Sequence, residues 1–117
     1  AVTAAGTVRS WIDQGELVLS IADGWHINSF TPQQDYLIGT QISYEGQAAE
    51  AVTGRPVAKL TRLAFSDQPL ETYEGDLRFG LKPRPSGEQA RLSLQIQACD
   101  DRRCLPPETL SLALPRR

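Results

Sequence analysis

The sequence predicts an all-β domain, an immunoglobulin-like β-sandwich of about seven to eight strands. Segments in which apolar and polar residues alternate recur along the chain and are bounded by turn residues, as half-buried strands are. No window longer than about a dozen residues keeps the 3.6-residue period of a helix. Eight prolines and nine glycines, spread over the 117 residues, further disfavour long helices. A closed barrel is the alternative architecture.

The strand-like segments are short and follow one another closely. The seven predicted strands span residues 2–11, 16–22, 36–44, 57–65, 76–81, 90–98 and 109–114, and shorter segments lie at 25–30 and 70–74. The segment before the cysteines has the cleanest alternation, with Leu92, Leu94 and Ile96 on one face. The intervening stretch 45–56 is polar and rich in Ala and Gly, which predicts a loop or one short helical turn around residues 47–52.

Turn-forming residues separate these segments and support their order. They are Asp23-Gly24, the proline-containing loops 31–35 and 66–69, Gly75, and the Pro-, Ser- and Gly-containing loop 82–88. In the second segment Leu17, Leu19 and Ile21 alternate with the residues between them. The segment that begins at Tyr36 alternates in the same way up to Tyr44. This spacing of short strands and turns is typical of a sandwich.

The size and charge of the chain limit what it can be. A chain of 117 residues is long enough for one hydrophobic core, so we expect residues 1–117 to form a single domain. The net charge of -2 disfavours nucleic acid or an anionic membrane as a partner. No apolar run approaches the roughly 18 residues of a membrane span. The absence of methionine and of a signal peptide leads us to expect a piece excised from a longer protein.

Cys99 and Cys104 are the only cysteines, and a pair of prolines follows them at positions 106–107. Such a pair fits a structural disulfide, part of a metal site or a redox couple. If the alternation of the preceding strand continues, Cys99 lies with Gln95 and Gln97 on the polar face, away from the core. That position argues against a disulfide through the core of the kind found in antibody domains.

Two alternatives to a redox role can be weighed by general principles. Closing a loop of about six residues stabilises a fold by roughly 2 kcal/mol, against about 5 for a loop of about 100 residues. A stability role is therefore modest, although a structural disulfide across a hairpin stays open. A zinc site needs four ligands, and only His26 and carboxylates could complete one here. We therefore expect no metal.

The order of the charged residues around the cysteines favours a redox role in which the two sulfurs differ in reactivity. The arginine pair 102–103 lies beside Cys104 and favours its thiolate, which is the reactive form. The aspartate pair 100–101 lies beside Cys99 and disfavours its thiolate. We therefore predict that Cys104 attacks a partner and that Cys99 resolves the mixed disulfide. The prolines 106–107 cannot donate to a strand ladder, so they end pairing just after the turn.

The run 97–108, QACDDRRCLPPE, resembles the Q-x-C … C-x-P-P-E signature of one family, the periplasmic amino-terminal domains of the thiol:disulfide interchange protein DsbD. Two further segments agree in order and spacing. Residues 21–28, IADGWHIN, are similar to the family's strand-turn segment. Residues 70–75, LETYEG, are similar to its cap loop, which shields the cysteines. Together they extend the resemblance over residues 16–114.

The resemblance implies an immunoglobulin-like domain in the bacterial periplasm, belonging to an inner-membrane protein. It implies a protein-disulfide reductase domain whose cysteine pair passes reducing equivalents, without a cofactor, to oxidised thioredoxin-like partners. These partners would be a disulfide isomerase and the reductant of cytochrome c maturation, and a thioredoxin-like domain of the same protein would supply the electrons. In the family the second cysteine forms the mixed disulfide, which by position is Cys104, with Cys99 resolving.

The resemblance also points to residues around the sulfurs. Glu71, Thr72 and Tyr73 would belong to the cap loop, with the Tyr73 ring over the disulfide. His26 and Asn28 stand where the family pattern has tyrosines, and the spacing between the cysteines is one residue shorter than in that pattern. His26 is either a histidine without a role or a group that assists thiol deprotonation. For the whole domain, the alternatives are a non-catalytic β-sandwich binding module with a structural disulfide and a metal-binding chaperone.

Overall fold

A computed structural model describes residues 1–32, 34, 36–64, 66–86 and 90–115. This part of the chain contains eleven β-strands and no helix, which confirms the predicted all-β class. The strands are β1 Val8–Asp13, β2 Glu16–Ile21, β3 His26–Asn28, β4 Gln41–Tyr44, β5 Val52–Gly54, β6 Lys59–Thr61, β7 Leu70–Tyr73, β8 Asp76–Leu81, β9 Arg91–Ile96, β10 Ala98–Cys99 and β11 Glu108–Ala113.

The strands form three antiparallel sheets that share one core. Their orders are β1-β2-β8-β5 for the first sheet, β10-β3-β7-β6 for the second and β11-β9-β4 for the third. Leu17 and Phe79 of the first sheet, Ile27 of the second, and Leu92 and Leu94 of the third are fully buried in the same cluster. Each such side chain contributes about 1.5–3 kcal/mol through burial, and together they hold the sheets face to face.

An aromatic cluster belongs to this core beside the second sheet. The rings of Phe30, Tyr73 and Phe79 pack edge to face, with centroids 5.6 to 6.2 Å apart. The Tyr73 hydroxyl donates a hydrogen bond to the carbonyl oxygen of Pro56 at 2.9 Å. The guanidinium of Arg55 lies over the Phe30 ring, 4.4 Å from its centroid. Tyr73 is therefore a core residue with its one polar atom satisfied.

Most predicted segments contain an observed strand, but several boundaries differ. Strand β8 spans the predicted residues 76–81. The predicted segment 36–44 shortens to β4, because side chains rather than a neighbouring strand bind the backbone of Ile38. The stretch 45–56 has no helical turn, and part of it forms β5, which pairs with β8. Phe65, at the end of one predicted strand, and parts of the predicted loops 31–35 and 82–88 lie outside the described residues.

The predicted strand 90–98 divides into β9 and β10 at Gln97. Strand β9 pairs with β4 and β11 in the third sheet, whereas β10 pairs with β3 in the second. The chain therefore crosses from one sheet to the other at this residue. The crossing brings the cysteines that follow it next to β3.

Candidate functional site

The two cysteines form a disulfide at the edge of the second sheet. Cys99 and Cys104 are joined by an S–S bond of 2.08 Å, with their Cα atoms 4.0 Å apart. They face each other as an isolated antiparallel bridge, and within the turn the Asp100 N–H donates to the carbonyl of Arg103 at 2.9 Å. Cys99 is fully buried, whereas Cys104 is half-buried. Cys104 is therefore the more accessible of the two residues.

The polar face on which the alternation places Cys99 did not lead us to expect its burial. The alternation of β9 continues through Gln97, although the chain changes sheets there. Ala98 of β10 packs in the core cluster, as the buried residues of β9 do. Cys99 consequently does point away from the main core, but other residues cover it completely.

The carboxylate of Asp100 holds the turn between the cysteines. Its Oδ1 accepts hydrogen bonds from the backbone N–H groups of Arg102 at 2.9 Å and Arg103 at 2.8 Å. These two bonds, first that from Arg102, lower the pKa of Asp100 below its ordinary value. The Arg103 guanidinium also lies 3.6 Å from the Asp100 carboxylate. Because these charges partly offset each other, the difference in exposure separates the two sulfurs more clearly than charge order does.

His26, Cys99 and Cys104 lie in one row across the second sheet. Cys99 of β10 is directly opposite His26 of β3, and on its other side it is opposite Cys104. Directly opposed residues of an antiparallel pair carry their side chains on the same face, with Cβ atoms about 4.5–5.5 Å apart. In the next row, Ala98 and Ile27 face the core instead. The pairing thus puts the predicted neighbour His26 beside the disulfide.

The imidazole of His26 is buried next to two acidic side chains. Only 4% of the residue's surface is exposed. Burial lowers the pKa of His26 below 6.5, against the charges of Glu74 and then Asp100, which raise it. Its Nε2 is the only buried side-chain nitrogen or oxygen without a hydrogen-bond partner in the described part of the chain. Most buried polar atoms are hydrogen-bonded, so this atom requires an explanation.

Asn28, the second predicted neighbour, lies two residues further along β3 and belongs to a buried hydrogen-bond network centred on Gln97. Asn28 Nδ2 donates to the carbonyl of Ile38 at 2.8 Å and to Gln97 Oε1 at 3.1 Å. Gln97 Oε1 also accepts from the Ile38 N–H at 2.9 Å, and Gln97 Nε2 donates to the carbonyl of Leu105 at 3.3 Å. The network ties the residue after Cys104 to β3 and to the loop before β4.

Three leucines cover the accessible cysteine. Leu37, Leu63 and Leu70 form a small buried cluster, and Cys104 packs against it. The loop that carries Leu63 is also bound to the cysteine turn, because the Ala64 N–H donates to the carbonyl of Asp101 at 3.0 Å. Sequence reasoning missed the role of the first two leucines, because it placed them in the predicted strands 36–44 and 57–65, whereas both lie outside the observed strands.

The predicted cap segment is for the most part strand β7. Tyr73 is opposite Ile27 on the core face of the sheet, so its ring packs in the core and does not cover the disulfide. Thr72 is on the disulfide face, fully buried, and its hydroxyl shares a 2.8 Å hydrogen bond with Thr61. Glu71 is half-buried, and its carbonyl accepts the N–H of Ser29. Within residues 70–75, the cluster that contacts Cys104 contains only Leu70.

Comparison with known proteins shows the family to which the chain belongs. The family model "Thiol:disulfide interchange protein DsbD, N-terminal" matches residues 5–115. The chain belongs to this family. Among solved structures, the DsbD N-terminal domain of Neisseria meningitidis in the reduced form matches with a TM-score of 0.53 and 15% identity, covering 85% of this chain and 74% of that one. This likeness confirms the immunoglobulin-like fold. A search of curated proteins found no match.

The domain thus has a disulfide-bonded cysteine pair with one buried and one half-buried member. In the part of the domain that the structure describes, no three His, Cys, Asp or Glu side chains are grouped as metal ligands. The same part contains no helix with the length and apolar character needed to cross a membrane. The pairing of the strands brings the two sulfurs and the imidazole of His26 together at the site.

Proposed function

We propose that this domain passes reducing equivalents by thiol–disulfide exchange to oxidised thioredoxin-like proteins in the bacterial periplasm. The observation that carries the proposal is the cysteine pair of a DsbD N-terminal domain, in which a buried Cys99 is bonded to a more exposed Cys104. A couple that exchanges with other proteins needs one accessible sulfur for attack and a second sulfur held within reach of it.

The exchange runs in two displacement steps. In the reduced domain, the Cys104 thiolate attacks the disulfide of the partner. An S–S bond forms between Cys104 and the partner, and the partner's other sulfur leaves as a thiolate. Cys99 then attacks the sulfur of Cys104, which reforms the internal disulfide and releases the second partner sulfur. The partner gains two electrons and the domain loses them, so no cofactor is needed.

The partner must present a disulfide that can approach Cys104 past the leucine cluster. The family resemblance supplies candidates with such disulfides: a periplasmic disulfide isomerase and the reductant of cytochrome c maturation. A thioredoxin-like domain of the same inner-membrane protein would return the pair to its reduced state. Because Cys104 packs against Leu37, Leu63 and Leu70, some of this cover must move when the mixed disulfide forms.

Trapping the mixed disulfide tests the proposal. The Cys99→Ser variant, mixed in reduced form with an oxidised thioredoxin-like protein, should accumulate a covalent adduct through Cys104, detected by mass spectrometry and cleaved by dithiothreitol. The matched Cys104→Ser variant should form little adduct, because its remaining sulfur is buried. If neither variant forms an adduct and reduction only destabilises the domain, it is instead a binding module with a structural disulfide.

A further inference from the structure

We infer that His26 is the proton acceptor for Cys99 in the second displacement, the step that resolves the mixed disulfide. The inference rests on the proposed function and adds to it a base for the buried sulfur. It comes from the row that His26 forms with the two cysteines and from the unpartnered nitrogen in that row.

The geometry places the imidazole on the side of Cys99 that is opposite to Cys104. Cys99 has Cys104 as its neighbour on one side and His26 on the other, with all three side chains on one face of the sheet. A proton that leaves the Cys99 sulfur toward His26 therefore does not obstruct the approach of that sulfur to Cys104. His26 is also 4% exposed, so water has little access to compete with it as the acceptor.

The redox state explains why Nε2 has no partner. In the oxidised domain, neither sulfur carries a hydrogen, so the row contains no S–H donor. Reduction creates one at Cys99, the residue directly opposite His26, which carries the buried nitrogen. A neutral imidazole with its proton on Nδ1 then accepts the hydrogen bond through Nε2. The atom left unsatisfied by the disulfide is thus matched to the thiol that appears on reduction.

The resolving cysteine needs such a base because it is buried. Burial disfavours a thiolate, and an ordinary thiol with a pKa of about 8.5 is only about 1% ionised at pH 6.5. In the second displacement the Cys99–Cys104 bond forms, the bond from Cys104 to the partner breaks, and the partner sulfur leaves as a thiolate. The Cys99 proton passes to His26 Nε2 and from there to the departing thiolate or to water. No further oxidant or reductant enters the balance.

Burial keeps His26 neutral, and the carboxylates around it leave it able to take up a proton. Two carboxylates face it, Glu74 after β7 and Asp100 after β10, and both raise its pKa, although burial outweighs them. Glu74 is itself paired with Lys59 of β6 at 2.7 Å, and Asp100 with the turn that contains Arg103. The imidazole is therefore unprotonated at neutral pH, while nearby negative charge stabilises the imidazolium that forms transiently.

The test measures resolution without a protein partner. The reduced domain is mixed with one equivalent of the aromatic disulfide DTNB in a stopped-flow spectrometer between pH 5.5 and 9. Attack by Cys104 releases the first coloured thiolate, and resolution by Cys99 releases the second. The variants are His26→Leu and, should that variant fold poorly, His26→Asn. The matched control is Thr40→Val, which removes a buried 2.6 Å hydrogen bond to the β3 carbonyl of Asn28 without touching the row.

In the wild type and in Thr40→Val, the rate of the second release should be nearly constant from pH 6.5 to 8. In the His26 variants it should rise about tenfold per pH unit. They should be about 100-fold slower than the wild type at pH 6.5, as expected when a general base is lost, and approach it by pH 9. If the wild type releases both thiolates and its second release depends on pH in the same way as that of the His26 variants, the inference is wrong and the proposed function is unaffected. A wild type that never releases the second thiolate overturns the proposed function, and the inference with it.

Discussion

Replacing Gln97 tests whether this residue, at which the chain crosses between two sheets, holds the turn between the cysteines in place. The substitution Gln97→Leu keeps the residue's approximate size and removes its amide. It deletes the hydrogen bonds that Gln97 shares with Asn28, Ile38 and Leu105. Because the residue is only 8% exposed, water cannot readily replace these bonds.

The expected loss is about 2–3 kcal/mol in the free energy of unfolding. Two of the bonds, at 2.9 and 3.1 Å, have ordinary lengths, and each contributes about 1 kcal/mol net. The third, from Gln97 to the carbonyl of Leu105, is 3.3 Å long and contributes a fraction of that. The backbone N–H of Ile38 also loses its acceptor, which places the total nearer the upper value.

Urea unfolding of the oxidised domain, followed by tryptophan fluorescence, measures this loss. Trp25 is suited to report it, since it is half-buried and packs against the core. The matched control is Gln95→Leu, two residues earlier on β9, where the same chemical change lies outside the Gln97 network. That control should alter stability by about 0.5 kcal/mol or less.

A functional measurement accompanies the stability measurement. The Gln97 amide binds Leu105, the residue directly after Cys104, so its loss should loosen the turn and speed reduction of the disulfide by dithiothreitol. Equal stabilities of the Gln97 and Gln95 variants would refute the assignment of the network as the anchor of the turn. So would a Gln97 variant that is destabilised while its disulfide is reduced at the wild-type rate.

The disulfide, its cover and the buried histidine each give a further expectation. Reduction of the disulfide should lower the free energy of unfolding by about 2 kcal/mol, because it removes the entropic constraint on a loop of about six residues in the unfolded chain. An unchanged urea midpoint would contradict this expectation. Leu63→Ala should cost about 2–3 kcal/mol and expose Cys104 to faster reduction by dithiothreitol, whereas the control Leu60→Ala, at a site 64% exposed, should do neither. Burial lowers the folded pKa of His26 below 6.5, so the unfolded state binds more protons just below that pH. The domain should therefore lose stability as the pH falls from 6.5 through the folded pKa, and His26→Leu should flatten that dependence in urea titrations.

The strands of the core were predictable because their periodicity is local. Leu92, Leu94 and Ile96 alternate with polar residues, and all three are buried as that pattern requires. The cysteine motif was also predictable, because it is contiguous and chemically distinctive. In both cases the information lies within a few neighbouring residues.

The errors arise where contacts between segments that are distant in sequence decide what surrounds a side chain. Periodicity correctly places Cys99 on the face away from the core, but it cannot show that other residues of the folded chain cover that face, so the burial of Cys99 was not predicted. Similarly, the family resemblance implied that the Tyr73 ring covers the disulfide, but the pairing of Tyr73 with Ile27 turns the ring into the core. The cover over Cys104 comes from Leu37 and Leu63, in loops distant in sequence, and only the folded chain brings them together.

The roles that we propose for the two sulfurs have a better physical basis in burial than in charge order. The Asp100 carboxylate accepts hydrogen bonds from the turn and lies near the Arg103 guanidinium. It therefore disfavours the Cys99 thiolate less than the sequence suggested. Exposure leads to the same proposed roles by an independent route, because Cys104 is half-buried whereas Cys99 is fully buried. A buried resolving thiol, however, loses the solvent that would ordinarily take its proton. The same burial that assigns Cys99 its role therefore creates the need for an internal base, and His26 is the group that the sheet places beside it.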